Sequence, residues 1–208
     1  MPLGPNFERA LSYALHAHDG HLRKGSDAPY FSHLMAVSAT VLENGGNETE
    51  AIAALLHDAV EDQGGRPRLE DIRKHFGDVV AGIVEACSDS LDTDADGQKE
   101  DWLTRKRRYL ATLTHKTPSM LAVTTADKLH NARAIWRDAQ ARGPDLWKRF
   151  GKPTEQSIAY YTALYRILGA VHATPATAEL GEVVARLESL IEDRAAHRRY
   201  LDELLAAG

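Results

Sequence analysis

One cysteine, Cys87, stands in 208 residues, so no disulfide can form within the chain, and a reducing, cytoplasmic setting is the natural reading. Long apolar runs are missing too. The most apolar stretch, Ala51 to Leu56, is far too short to span a bilayer. The opening MPLGPNFERAL lacks the basic start and apolar run of a signal peptide. Nor is there an excess of cations: 25 Lys and Arg against 30 Asp and Glu give a formal net charge of −5. That balance supplies no broad positive field to hold nucleic acid by its phosphates. An anionic ligand must instead be met by a local basic cluster or by a metal. Neither strand-like alternation nor an internal repeat nor a low-complexity segment stands out.

What is there is helical periodicity, which predicts an all-α fold. Phe7, Ala10, Leu11, Ala14 and Leu15 recur at helical spacing until Gly20. Ser32 is suited to cap a second helix running through Val37 and Val41 to Gly45-Gly46. Asn47 with Glu50 has the form of a capping box and opens a helix to about Asp62. Gly64 to Pro67 reads as its terminator, followed by helices over about 69–76 and 78–88. Residues 88–101 read as an acidic loop, then come helices from Trp102 to Thr114, from Pro118 through Ile135, over 155–169, and from Pro175 to the end. The length fits one domain, residues 1–172, with a C-terminal helix over 173–208 that packs on the domain or on a partner.

Ten histidines are many for this length, and several lie close to aspartates. In Leu55-Leu56-His57-Asp58-Ala59-Val60-Glu61-Asp62 an apolar helix ends in four groups that cores seldom accept. His57 and Glu61, like Asp58 and Asp62, are four apart and share a helical face. An isolated His-Asp pair carries little weight. His33 near the start of the preceding helix adds to it, as does Asp127 inside the apolar run from Leu121 to Leu129. A carboxylate there is costly to bury alone, and a cation partner explains it economically. Two histidines with two carboxylates suit Mn, Fe, Zn or Ni better than Ca.

The order His33, His57-Asp58, Asp127 resembles the H…HD…D pattern of the HD superfamily. The local text is more specific: Arg23-Lys24-Gly25 through Pro29-Tyr30-Phe31-Ser32-His33, then Ala54 to Asp62, Phe76-Gly77, and Ala126-Asp127-Lys128-Leu129-His130-Asn131. Over about residues 7 to 170 it resembles the hydrolase domain of the bifunctional, RelA/SpoT-type alarmone enzymes. It resembles even more the stand-alone, MESH1-like small alarmone hydrolases. The resemblance implies an HD-domain helical bundle with one Mn²⁺, another divalent transition metal being possible, held by His33, His57, Asp58 and Asp127. It implies Glu61 and Asp62 as the catalytic acidic pair. Arg23, Lys24, Asn131 and Tyr160, with Tyr161 as a rival for the last, become substrate contacts; Lys128, next to the ligand Asp127, is read separately as a further cation for the substrate phosphates. The implied reaction removes pyrophosphate from the 3′ position of guanosine tetra- or pentaphosphate, giving GDP or GTP. The implied partner is that small nucleotide, with no nucleic acid and no membrane; a homo-oligomer is compatible with the sequence.

Another nucleotide phosphohydrolase on this scaffold, acting for example on NADPH, is the alternative enzyme, and a nucleotide-sensing HD module is the alternative outside catalysis. Other candidate features read as structural. The Arg105–Arg108 run is balanced between a phosphate-binding cluster and a solvated helix face. His16, His18 and His21 read as surface or partly buried, His130 as packed, and Cys87 as core. Trp147 reads as packing or a flap near the site. Asp92 to Gly97 imitates a calcium loop, but Leu103 occupies the place of its bidentate Glu.

Overall fold

In the computed structural model, residues 2–24, 26–62, 64–88, 101–143 and 153–206 are described, with the backbone alone at Asp62. Residues 89–100 of the acidic loop, with the Asp92 to Gly97 imitation, and Trp147 lie outside the described residues. The chain divides into two compact units, one of Met1–Glu100 with Lys116–Asp127, the other of Asp101–His115 with Lys128–Gly208. The fold is all-α; among the described residues the one extended pairing is an isolated bridge between Leu22 and Pro29.

The first unit contains α1 (Pro5–Ala17), α2 (Phe31–Glu43), α3 (Glu48–Leu56), α4 (Ala59–Asp62), α5 (Gly65–Cys87) and the start of α7 (Pro118–Arg142). At its centre α3 packs on α1, α2 and α5. Every residue from Ala51 to Leu56 is buried. Leu34, Leu55, Leu56 and Ile72 are fully buried in this core, each contributing roughly 1.5–3 kcal/mol by leaving water. The capping box that opens α3 is present: Glu50 N donates to Asn47 Oδ1 at 3.1 Å, and Asn47 N donates to Glu50 Oε2 at 2.8 Å. Glu48, in the first turn of α3, accepts from Gly4 N and Phe7 N and so ties down the start of α1. Cys87 is buried as expected, and burial pushes its thiol pKa up.

Three local expectations change. Tyr30, not Ser32, is the residue before α2. The helix expected to reach Asp62 ends at Leu56 and resumes at Ala59. The imidazole of His57 explains that break, because its Nδ1 lies 2.8 Å from the Ala54 carbonyl. An unbroken α-helix would offer that carbonyl to the amide of Asp58. Next, α5 starts at Gly65 rather than after Pro67, because a proline in the first turn gives up an N–H that has no intrahelical partner anyway. A break at Gly77, with φ 87°, divides α5 into the two expected stretches.

The second unit contains α6 (Trp102–Thr112), a 3₁₀ turn (Leu113–His115), the remainder of α7, α8 (Thr154–Val171), α9 (Pro175–Glu188) and α10 (Arg194–Leu205). Here α8 packs against α9 and α10, around buried Ile158, Leu164, Leu168, Leu180, Leu187 and Leu201. The segment read as one last helix is therefore two. Asp193 starts the second of them, its side chain accepting from Ala195 N at 3.0 Å and Ala196 N at 2.9 Å.

Candidate metal centre

The first unit gathers the four residues that the sequence singles out for metal. His33 sits in the first turn of α2, buried. His57 and Asp58 occupy the break between α3 and α4. Asp127 comes from α7, 5% exposed and flanked in sequence by buried Thr124, Thr125 and Ala126. His33 Nε2 lies 3.3 Å from Asp58 Oδ2 and 3.3 Å from Asp127 Oδ1. His57 Nε2 lies 3.0 Å from Asp58 Oδ2 and 3.6 Å from Asp127 Oδ1. The tightest group is His33, His57 and Asp58, and Asp127 joins it through the two histidines.

These residues fit a divalent metal ion. Donors about 2.1 Å from one ion stand about 3.0 Å apart at right angles and about 3.4 Å apart at the tetrahedral angle, which brackets three of the four separations. His57 Nδ1 donates to the Ala54 carbonyl, which leaves Nε2 as the lone-pair nitrogen of the neutral ring. With the ring neutral, that buried Nε2 faces Asp58 Oδ2 at 3.0 Å with no proton between the two acceptors. A buried polar atom in that condition is costly unless something else meets it. Two carboxylates, moreover, match the charge of a divalent cation.

Asp58 is held in place by Tyr30, whose hydroxyl donates to Asp58 Oδ2 at 2.6 Å. Sequence reasoning missed both orienting groups. Tyr30 lay inside the quoted motif, three residues before His33. The Ala54 carbonyl is main chain and has no signature in residue type.

The charges set the titration of the metal-free site. Burial opposes a His57 cation, but the carboxylates of Asp58 and Asp127 outweigh it and hold the imidazole pKa well above its ordinary value. Burial likewise opposes the Asp58 carboxylate, and His57 and His33 override it to hold that pKa well below its usual range. A metal must therefore displace a proton from His57, while Asp58 is already ionised. Metal affinity is expected to rise with pH and to fall on acidification by about tenfold per unit below the raised His57 pKa. Calorimetric titration in buffers of different ionisation enthalpy should show proton release on binding near neutral pH. Binding without proton release would contradict this protonation scheme.

The remaining site candidates are placed as follows. Glu61 is half-buried on α4, three residues after Asp58, and the side chain of Asp62 lies outside the described residues. Lys24 is exposed. Arg23 is half-buried, with its guanidinium 5.4 Å from the centre of the Tyr30 ring. Lys128, Asn131 and Tyr160 belong to the second unit. The Lys128 ammonium stands 5.3 Å from the centre of the Tyr109 ring. Tyr160 is buried, edge-on to Trp102 and Tyr161, with the Lys106 ammonium 5.0 Å from its ring centre. Among the described residues its buried hydroxyl meets no hydrogen-bond partner.

His16 is exposed and His21 half-buried, whereas His18 is buried more deeply than the sequence suggests. Burial lowers the His18 pKa to about 4. A recess of about 400 Å³ lies between α1 and α5, lined by Arg9, Tyr13, Arg68 and Phe76 among others. It contains none of the metal-facing residues, and its guanidiniums bond within the protein, Arg9 to the His75 carbonyl and Arg68 to the Tyr13 hydroxyl.

The arrangement, histidine from one helix, His-Asp from the next and aspartate from a later one, is that of a class of helical metal-binding domains. The chain belongs to the HD domain family, whose pattern its residues 10–153 match. It is 38% identical over 128 residues to a GTP pyrophosphokinase of Streptomyces coelicolor, covering 62% of this chain and 14% of that protein. It is 33% identical over 131 residues to the guanosine-3′,5′-bis(diphosphate) 3′-pyrophosphohydrolase MESH1 of Xenopus tropicalis, covering 62% of this chain and 68% of the relative. A solved structure described as a metazoan ortholog of SpoT that hydrolyzes ppGpp superposes with a TM-score of 0.71 at 26% identity. It covers 92% of this chain and 99% of that one. The chain spans only 14–16% of the length of the GTP pyrophosphokinases that it matches. Among the described residues no helix is long and apolar enough to cross a membrane.

Proposed function

We propose that this chain is a metal-dependent hydrolase that removes pyrophosphate from the 3′ position of guanosine tetra- and pentaphosphate, giving GDP and GTP in the cytoplasm, with Mn²⁺ as its metal. The observation that carries the reading is the cluster of His33, His57, Asp58 and Asp127, with Glu61 on the helix that follows. The MESH1 relative and the SpoT-like structure supply the substrate class. When bound, a divalent cation supplies Lewis acidity against the negative charge of the phosphates.

The protein's own groups do the rest. Water attacks the phosphorus next to the ribose, the bond from phosphorus to the 3′ oxygen breaks, and that oxygen takes a proton as pyrophosphate leaves. Glu61 and Asp62 are the groups that accept the proton of the water and return one to the 3′ oxygen. Arg23, Lys24 and Lys128 meet phosphate charge in a chain that is acidic overall. Asn131 and Tyr160 contact the nucleoside. The Tyr160 hydroxyl, buried and with no hydrogen-bond partner among the described residues, supports that role, because a ligand atom would satisfy it.

Purified protein with Mn²⁺ and guanosine tetraphosphate is expected to release GDP and pyrophosphate in equal amounts. A metal-loaded, folded protein that releases neither would overturn the alarmone assignment. Orthophosphate from NADPH in the same assay would move the protein to the alternative phosphohydrolase, and saturable nucleotide binding without turnover would make it a sensor.

A further inference from the structure

The segment before α2 is tightly folded. Arg23 N donates to the Ala28 carbonyl at 2.9 Å, Tyr30 N to the His21 carbonyl at 2.8 Å, and Ser26 N to the Arg23 carbonyl at 3.0 Å. These bonds fix the Tyr30 ring in an aromatic cluster. His21 lies parallel to it with centroids 4.2 Å apart, and His18 lies parallel at 5.0 Å. The two imidazoles also face each other through their Nδ1 atoms at 3.3 Å. His33 meets the Tyr30 ring edge-on at 5.6 Å, and the Arg23 guanidinium stands 5.4 Å from its centre. From this cluster the Tyr30 hydroxyl reaches the one oxygen of Asp58 that faces both metal-binding histidines, at 2.6 Å.

We infer that Tyr30 is a positioning residue for the metal centre: its hydroxyl aims the Asp58 carboxylate at the ion, and its ring, held by His18 and His21, seats Arg23 beside the site. The inference rests on the metal-centre reading but not on the identity of the substrate. A carboxylate on a short side chain swings freely about its terminal torsion, and a donor on its oxygen narrows that freedom before the metal arrives. Hydrogen bonds of this outer kind are worth about 10- to 100-fold in metal affinity or activity. The half of the motif that precedes His33 thereby acquires a physical role: the Arg23 cation and a metal ligand share one aromatic support.

The test is Mn²⁺ titration of three variants against wild type, by calorimetry, with thermal melting of the metal-free proteins alongside. Tyr30→Phe keeps the ring and loses only the hydroxyl. It is expected to weaken Mn²⁺ binding by about tenfold or more while the metal-free protein melts close to wild type. His21→Ala loosens the ring without removing the hydroxyl, and is expected to weaken binding less. Because both act through one hydroxyl, the double variant is expected to lose little beyond Tyr30→Phe alone. Wild-type Mn²⁺ affinity in Tyr30→Phe, or losses that simply add in the double variant, would overturn the inference and leave the metal centre intact. A wild type that binds no Mn²⁺ would overturn the metal centre and this inference together. Failure of alarmone hydrolysis with Mn²⁺ bound normally would overturn only the substrate assignment.

Discussion

Asp127→Asn is expected to lower divalent-metal affinity at least about 100-fold, the upper end of what losing even an outer hydrogen-bond partner costs, and to abolish pyrophosphate release with it. Asparagine keeps the shape of the side chain and removes only its charge. Asp127 is 5% exposed, so water cannot replace what is lost. Its Oδ1 faces both histidine Nε2 atoms, at 3.3 and 3.6 Å. Without that charge one carboxylate, Asp58, remains among these four ligands to balance a divalent ion. In the metal-free variant one of the two carboxylates that favour the His57 cation is also gone, so the His57 pKa should drop. Calorimetry would read the affinity, product assay the turnover, and NMR titration of the His57 ring the pKa. Near-wild-type affinity would remove Asp127 from the ligand set and make it a charge partner of the two histidines alone.

Glu61→Gln is expected to separate chemistry from metal binding. Turnover should fall by about 10²- to 10⁴-fold, the range typical of a positioned proton-transfer group, while Mn²⁺ affinity stays close to wild type. Glu61 sits on α4, one turn beyond the His57-Asp58 break and half-buried. Glutamine occupies the same volume and keeps a hydrogen-bonding head, so the fold should be indifferent to the change. Single-turnover measurements at saturating metal would isolate the chemical step. A large loss of Mn²⁺ affinity would instead recast Glu61 as a ligand, and an unchanged rate would leave Asp62 as the sole acid of the pair.

Much of the first unit was legible because its signals are local. The Asn47 and Glu50 pair announced the start of α3, and the apolar run Ala51 to Leu56 announced a buried helix. The four metal-facing residues stood out because histidine and aspartate are poorly tolerated among such neighbours unless something pays their desolvation. Where the reading failed, a side chain or a backbone group acted outside periodicity. His57 interrupts its own helix through its ring, and spacing assumes an unbroken one. The last helix carries continuous helix-forming composition, yet Asp193 caps a new start within it. Asp193 carries the ordinary cap signature, but the charged pattern around it runs on without a glycine or proline to mark a break. The depth of His18 depends on three aromatic rings meeting across a folded segment, which neighbouring residue types do not announce.

The two hinges of the metal site differ in kind. His57 takes its orientation from the Ala54 carbonyl, which every amino acid at position 54 would supply. Asp58 takes its orientation from a phenol that a single codon change can delete. Under random mutation the imidazole end of the centre is thus robust and the carboxylate end fragile. Affinity for metal should drift among descendants of this chain mainly through position 30, long before either histidine is lost. A designer wishing to tune that affinity in small steps has the same handle.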